Sequence, residues 1–408
     1  MSWLIPRNEL TAEQIRAIEL STSEHKVIFG APGSGKTQIL LHRARYLIDK
    51  YNISPDRFHI FVYTNVLKSY IRSALDLLNL PESCVSTLDA WCLNFYRTKI
   101  SNKVPWDTEA NCPDFVSIRK AVFDKICNSK TSMSLYDFIL VDEGQDLDSI
   151  SFKMLSIISK HITVCIDHKQ RIYEKGLDEH EILKTLGINK RNITLLDAFR
   201  CCPYIVKLGS YFIENEDERN AYIRQSRTEQ GERETPLLYY AANFDDEKQK
   251  LIELLRIRLA KNEKIGILVP QNRQVFGFAK GLLSAGFNVE WSSKPGEGSY
   301  NFNSHQPKIL TFHGAKGLTF DTIIIPRLVN KSFQRFNEQE ITRLLFVGIT
   351  RAEKWVALLS NKKNGLPQLY KLNTLAQQGF LTIQENQRTV KLQEEQREID
   401  DNKLLDLL

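Results

Sequence analysis

The sequence predicts an α/β protein built from two tandem units of parallel sheet, and three observations predict it. Short, almost uninterrupted apolar runs recur along the chain. Amphipathic stretches of helical period separate them. A glycine-rich loop joins the first apolar run to the first amphipathic stretch. Near-continuous apolar runs suit strands buried on both faces, and their alternation with helices suits parallel pairing through crossovers.

Four strand-like runs come first: HKVIFG (His25 to Gly30), FHIFVYT (Phe58 to Thr64), FILVDE (Phe138 to Glu143) and ITVCID (Ile162 to Asp167). Between the last two, SFKMLSIISKH has the pattern of a crossover helix. A second set follows with PLLYYAA, IGILVP, FNVEW, KILTFH and TIIIP, spread from Pro236 to Pro326. The two sets join near LLDAFRCCP (Leu195 to Pro203). The expected organisation is a first unit over 1–198 with a small helical insertion at about 96–135, a second over 199–380, and a charged C-terminal tail over 381–408. NEDERNAYIRQSRTEQGERETP reads as a linker or surface excursion, and SSKPGEGSYNFNSHQ as a solvent-facing connection. The tail LQEEQREIDDNKLLDLL reads as a solvated charged helix whose last leucines are available to the body or to a partner.

Composition narrows the class. At 408 residues two domains are the prior, and 42% hydrophobic with 25% charged residues is ordinary for a soluble globular chain. The seven cysteines are scattered and form no CxxC pair, which argues against zinc and disulfides and suits a reducing, cytoplasmic setting. No apolar run is long enough for a membrane span, and the first residues lack the pattern of a signal peptide. A formal charge of +6 is compatible with a polyanionic partner without requiring one.

The chemistry begins at Gly30-Ala31-Pro32-Gly33-Ser34-Gly35-Lys36-Thr37, which fits G-x-x-x-x-G-K-[ST] between a strand and a helix. Glycines let backbone N–H groups converge on phosphate oxygens, and the helix N-terminus adds a favourable field. Lys36 is the candidate contact for the β- and γ-phosphates, and Thr37 for Mg²⁺. LYDFILVDEGQD supplies the acids at a second strand end: Asp142 for the metal and Glu143 to orient and deprotonate the attacking water. Two adjacent carboxylates are costly unless a cation or solvent compensates them.

An ordered series of further stretches resembles the UvrD/Rep-type superfamily 1 helicases. LTAEQIRAI resembles the family's glutamine motif, VYTN and VSTLDAWC its single-strand-contacting motifs, and DEGQD its DExQD. IDHKQRIY resembles GDxxQSIY, DAFR resembles NYRS, TFHGAKGLTF resembles TxHxAKGLEF, and RLLFVGITRAEK resembles RLLYVAxTRAKK. The series runs from about Leu10 to Lys354 in the family's order.

The resemblance implies two RecA-like P-loop domains with ATP in the cleft between them and 3′–5′ movement on DNA. It implies that Gln14 reads adenine, Phe199 stacks on it, Gln170 senses the γ-phosphate, and Arg200 and Arg351 act as arginine fingers. It gives Tyr63 as the aromatic that stacks on a base, and Thr64, Asn65, Thr87, Thr311 and His313 as contacts to the DNA backbone. Trp91, Phe95 and Tyr96 fit either an extension of that platform or a helix face in the core, and the core reading is preferred.

The chain departs from the family pattern at Gln38, where arginine is usual, at Ile166-Asp167 for the GD pair, and at Thr319 for a glutamate. RIYEKGLDEH also offers no aromatic after Tyr173 to stack a base. The spacing leaves no room for the large inserted subdomains, which makes this a compact member. The expected function is an ATP-dependent single-stranded DNA translocase or helicase. The alternative is a nucleotide-gated DNA-sensing ATPase subunit of a defence or repair complex, partnered with a protein such as a nuclease. An RNA-directed motor is also compatible, because stacking and backbone contacts discriminate sugars weakly.

Overall fold

The computed structural model describes residues 3–30, 33–109, 111–128, 134–167, 179–188, 193–195, 202–225, 234–292 and 300–386. The first sheet contains β1 (Lys26–Gly30), β2 (Phe58–Val62) and β3 (Val85–Thr87), and a small antiparallel hairpin of β4 (Trp106–Asp107) and β5 (Cys112–Pro113) lies outside it. It continues with β6 (Tyr136–Val141), β7 (Ser159–Ile166) and β8 (Ile193–Leu195). Its order is β3-β2-β6-β7-β1-β8, with every pair parallel. The second sheet holds β9 (Leu237–Tyr240), β10 (Ile265–Val269), β11 (Glu290–Trp291), β12 (Lys308–Thr311), β13 (Phe320–Ile325), β14 (Ala352–Ser360) and β15 (Thr382–Glu385). Its order is β11-β12-β10-β13-β14-β9-β15, again all parallel. Two tandem parallel sheets clothed in helices are the expected RecA-like α/β architecture.

The apolar runs are continuous because both faces of each sheet are covered. Along β1, Ile28 faces one core while Val27 and Phe29 face another. Along β6, Phe138 and Leu140 join the first core, whereas Ile139 and Val141 join the second. A third cluster covers one face of the second sheet through Ile267, Ile309, Ala357 and Leu359. The first core does not stop at the sheet boundary. It passes from Leu67 and Tyr70 into Phe302, Ala315 and Leu318, so the two halves share apolar packing.

Strands β3, β8, β14 and β15 escape the apolar-run criterion. The first two have only three residues, and β14 opens on the charged Ala352-Glu353-Lys354 before becoming apolar. Strand β15 lies in the segment expected as tail, pairing Thr382 to Glu385 with β9. Trp91 and Phe95 stack with ring centroids 5.3 Å apart, and the Trp91 indole N–H donates to the Tyr136 hydroxyl at 2.9 Å. Both pack with Tyr96 into the second core, as the core reading expects. No helix among the described residues is long and apolar enough to cross a membrane.

Candidate nucleotide cleft and strand-contacting face

The phosphate loop takes its shape from two glycines. Gly33 and Gly35 have φ of 79° and 82°, a region that favours glycine, and Gly35 caps the helix Lys36–Tyr51 from that conformation. A Cβ on Gly35 would meet the Gln14 amide nitrogen at 2.6 Å. Gln14 is buried, and both ends of its side chain are engaged. Its Nε2 donates to the Ser34 carbonyl at 3.2 Å, while its Oε1 accepts from Thr11 N at 3.0 Å in a capping box. In this arrangement Gln14 braces the loop.

Lys36 turns its amine back under the loop, donating to the Gly30 carbonyl at 2.8 Å and to Asp167 at 3.3 Å. Thr37 donates its hydroxyl to Asp142 at 2.6 Å. The pairing of β1 with β7 and of β7 with β6 sets Lys36, Asp167 and Asp142 at neighbouring strand ends. Asp142 is raised to about 6, first by burial and then by the charge of Glu143. Glu143 sits at φ 56°, a left-handed conformation rare for a non-glycine residue and a mark of a functional turn. Burial by itself would raise the Glu143 carboxyl, but Lys316, Lys36, Arg351 and the Gln145 amide outweigh it and hold it below its ordinary value. Gln145 donates to Glu143 and accepts from Asp167 N at 3.0 Å, clamping the acidic turn to the end of β7.

The donor set fits a phosphate-bound divalent cation. The Ser34 hydroxyl is buried with no partner in the loop, and Asp142 is buried beside the Glu143 carboxylate, an acidic pair that a cation would compensate. The Thr37 hydroxyl and Asp142 converge there. No cluster of three or more His, Cys, Asp or Glu suited to a metal exists among the described residues. Mg²⁺ held by one or two protein ligands plus phosphates and water matches that sparse set.

The second half completes the cleft. Lys36, Thr37, Glu143, Gly317, Thr319 and Arg351 line one cavity. The Arg351 guanidinium is anchored on the Leu318 and Val347 carbonyls at 3.3 and 3.1 Å. Lys316, from the loop after β12, is 1% exposed. It makes a hydrogen-bonded ion pair with Asp146, stands 3.7 Å from Glu143 and lies 5.8 Å from the centre of the Tyr63 ring. Lys316, Gln145 and Asp146 all lie within quoted motifs, yet their roles in the cleft were not assigned from them. A lysine in a motif says nothing of which carboxylate it meets across a cleft. Gln38 is buried and donates to the Trp3 carbonyl at 3.3 Å.

The strand-contacting candidates lie at the C-terminal ends of adjacent strands. Val62 pairs with Thr87, which sets the ends of β2 and β3 side by side. The Thr64 hydroxyl accepts from Leu67 N at 3.0 Å, capping helix Asn65–Leu75, and Thr87 accepts from Ala90 N at 3.2 Å, capping helix Leu88–Lys99. Thr311 accepts from Gly314 N at 3.0 Å beyond β12. Each hydroxyl keeps its proton free of these capping bonds, and both helix starts present backbone N–H groups. Asn65 is exposed, Tyr63 is half-buried, and His313 stacks near Phe336 with its pKa lowered by burial and then by Lys316. Of the remaining expected site residues, Ala31, Pro32, Gln170, Phe199 and Arg200 lie outside the described residues.

Fold and cleft together define a P-loop protein of tandem RecA-like build. Residues 10–135 match the UvrD/REP helicase N-terminal domain family, and residues 308–359 match the UvrD-like helicase C-terminal domain family. Both are domain families of the UvrD/Rep-type helicases, matched here in the order N-terminal then C-terminal. A mimivirus protein of Acanthamoeba polyphaga, named provisionally as an ATP-dependent DNA helicase, is 23% identical over 84% of this chain and 52% of its own length. A Mycoplasma capricolum protein, named provisionally as a DNA helicase II homologue, is 23% identical over 50% of this chain and 41% of its own. The chain spans about half the length of the curated relatives it matches. The solved C-terminal domain of a provisionally named Lactobacillus DNA helicase is 15% identical over 46% of this chain, with a TM-score of 0.36.

Proposed function

We propose that this chain is an ATP-dependent motor on single-stranded DNA, a translocase or helicase of 3′–5′ polarity. One observation carries the reading. Lys316, from the second half, meets Asp146 and Glu143 on the hydrolytic turn and Tyr63 on the strand-contacting face. A single buried cation therefore joins the hydrolytic acids to the candidate base-stacking ring across the cleft. Any change in charge at Glu143 reaches the DNA face through it.

In this reading Lys36 exchanges its Asp167 contact for a phosphate oxygen, and Glu143 orients and deprotonates the attacking water. Arg351 faces the charge that develops on transfer. Thr37 and Asp142 would hold a Mg²⁺ ion, which would supply positive charge against the phosphates. Tyr63 stacks on a base, while Thr64, Asn65, Thr87, Thr311 and His313 hold the backbone without reading sequence.

The test is steady-state ATPase activity with and without single-stranded DNA, duplex and RNA, in parent and Lys36→Ala chains. The reading requires a strong rise with single-stranded DNA that fades with salt, and no activity in the variant. A parent rate indifferent to DNA would sink it. Polarity is read from displacement of an oligonucleotide beside a 3′ or a 5′ single-stranded tail.

A further inference from the structure

A groove in the second half lies away from the nucleotide cleft, between helices Phe244–Ala260 and Asn272–Ser284. It encloses about 540 Å³. Phe244, Leu251 and Phe278 give it apolar walls, and Lys248, Arg273 and Arg327 bring positive charge to it. Phe244 is 52% exposed, although the Arg327 guanidinium lies 5.0 Å from its ring centre. Lys248 and Arg273 are exposed. Arg327 is held in place by the buried Glu247, which accepts from its backbone N–H and from its guanidinium at 2.5 and 3.3 Å. The helix wall is open at Gly277 and Gly281, one turn apart, where a Cβ would meet nothing within 4 Å. An apolar trough edged by cations suits an acidic, leucine-bearing peptide.

The same chain carries such a peptide. Residues 392–408 contain six acids against two bases, together with Ile399, Leu404, Leu405, Leu407 and Leu408. The chain leaves the second sheet beside the groove. The Asn386 side chain bonds to the Tyr239 hydroxyl, which in turn donates to Asp246 at 2.8 Å, one residue before the groove-lining Glu247. The six residues from there to Leu392 span up to about 20 Å when extended, enough to cross a groove between two neighbouring helices.

We propose that this groove is the seat of residues 392–408 of the same chain, the leucines filling the apolar trough and the acids meeting Lys248, Arg273 and Arg327. The experiment follows trypsin cleavage after Arg397 and Lys403 in the full chain, read by mass spectrometry. Filling the groove with Gly277→Leu and Gly281→Leu is expected to speed cleavage at both sites at least tenfold. The leucines enter open space on a helix that gains propensity by losing glycine. Reversing the charges with Lys248→Glu and Arg273→Glu is expected to do the same through exposed positions, independently of any packing change. Equal cleavage rates in the parent and both variants overturn the proposal. Parent protection that grows with protein concentration also overturns it, because the seat is then filled by a second copy.

Discussion

Two histidines in the first sheet give a pH dependence whose size follows from their contacts. His161, on β7, presents Nε2 to the Arg43 guanidinium at 3.1 Å and to the Thr163 hydroxyl at 2.9 Å. A nitrogen that accepts from guanidinium keeps its lone pair, so this ring is neutral. Burial and then Arg43 lower its pKa from 6.5 to about 3. His59, on β2, is lowered from 6.5 to about 4 by burial. Both are bases whose folded pKa lies below the unfolded one. The stability they confer is complete above pH 6.5 and is lost as pH falls below it. At pH 5 the unfolded imidazoles have taken up protons that the folded ones refuse, costing about 2 kcal/mol each and about 4 kcal/mol together. Asp142 and Asp146 act the other way. Each is raised to about 6, first by burial, so each favours folding more as pH falls from 7.5 to 5. A His59→Gln/His161→Gln chain keeps the acid terms and loses these histidine terms, so between pH 7.5 and 5 it fares better than the parent by about 4 kcal/mol. The assay is calorimetric melting of both chains at pH 7.5 and 5. The change in Tm between the two pH values should differ between parent and variant by roughly 5 °C, whatever the variant's stability at pH 7.5, because a chain of 408 residues shifts by about 1.2 °C per kcal/mol. A difference under about 1 °C would refute the reasoning, because it would mean the imidazoles titrate normally.

Lys316→Met leaves Asp146 and Glu143 without the buried cation that faces both. Removing one partner of a buried pair costs about 3–5 kcal/mol, so Tm should fall and stimulation of ATP hydrolysis by single-stranded DNA should drop more than tenfold. Melting and the DNA-stimulated to basal rate ratio check it. Gly317→Ala places a Cβ 3.0 Å from two Leu67 methyls at φ 79°, a left-handed position on the packed seam between the halves. A loss of about 1–3 kcal/mol is expected in chemical denaturation, and an unchanged midpoint would contradict the seam described above.

The sequence by itself determined the local chemistry. The glycines at 33 and 35, the run of apolar residues into Asp142 and Glu143, and the double-sided burial of β1, β2, β6 and β7 follow from short-range rules of φ, charge and hydrophobic pattern. Family resemblance extended this to the order of motifs. The three-residue β3 and β8, the mostly polar β15 and β14 with its charged start carry too little apolar pattern to be read without their neighbours. Only the tertiary structure decided what each side chain meets. It showed the base-reading candidate Gln14 bonded to Thr11 and to the Ser34 carbonyl of the phosphate loop. It made Thr64, Thr87 and Thr311 capping acceptors as well as candidate strand contacts. It also brought Lys316 to acids 170 and more positions earlier in the chain. Such pairings depend on how two sheets close on each other, and the free energy of that closure is spread over many apolar contacts that no single motif encodes.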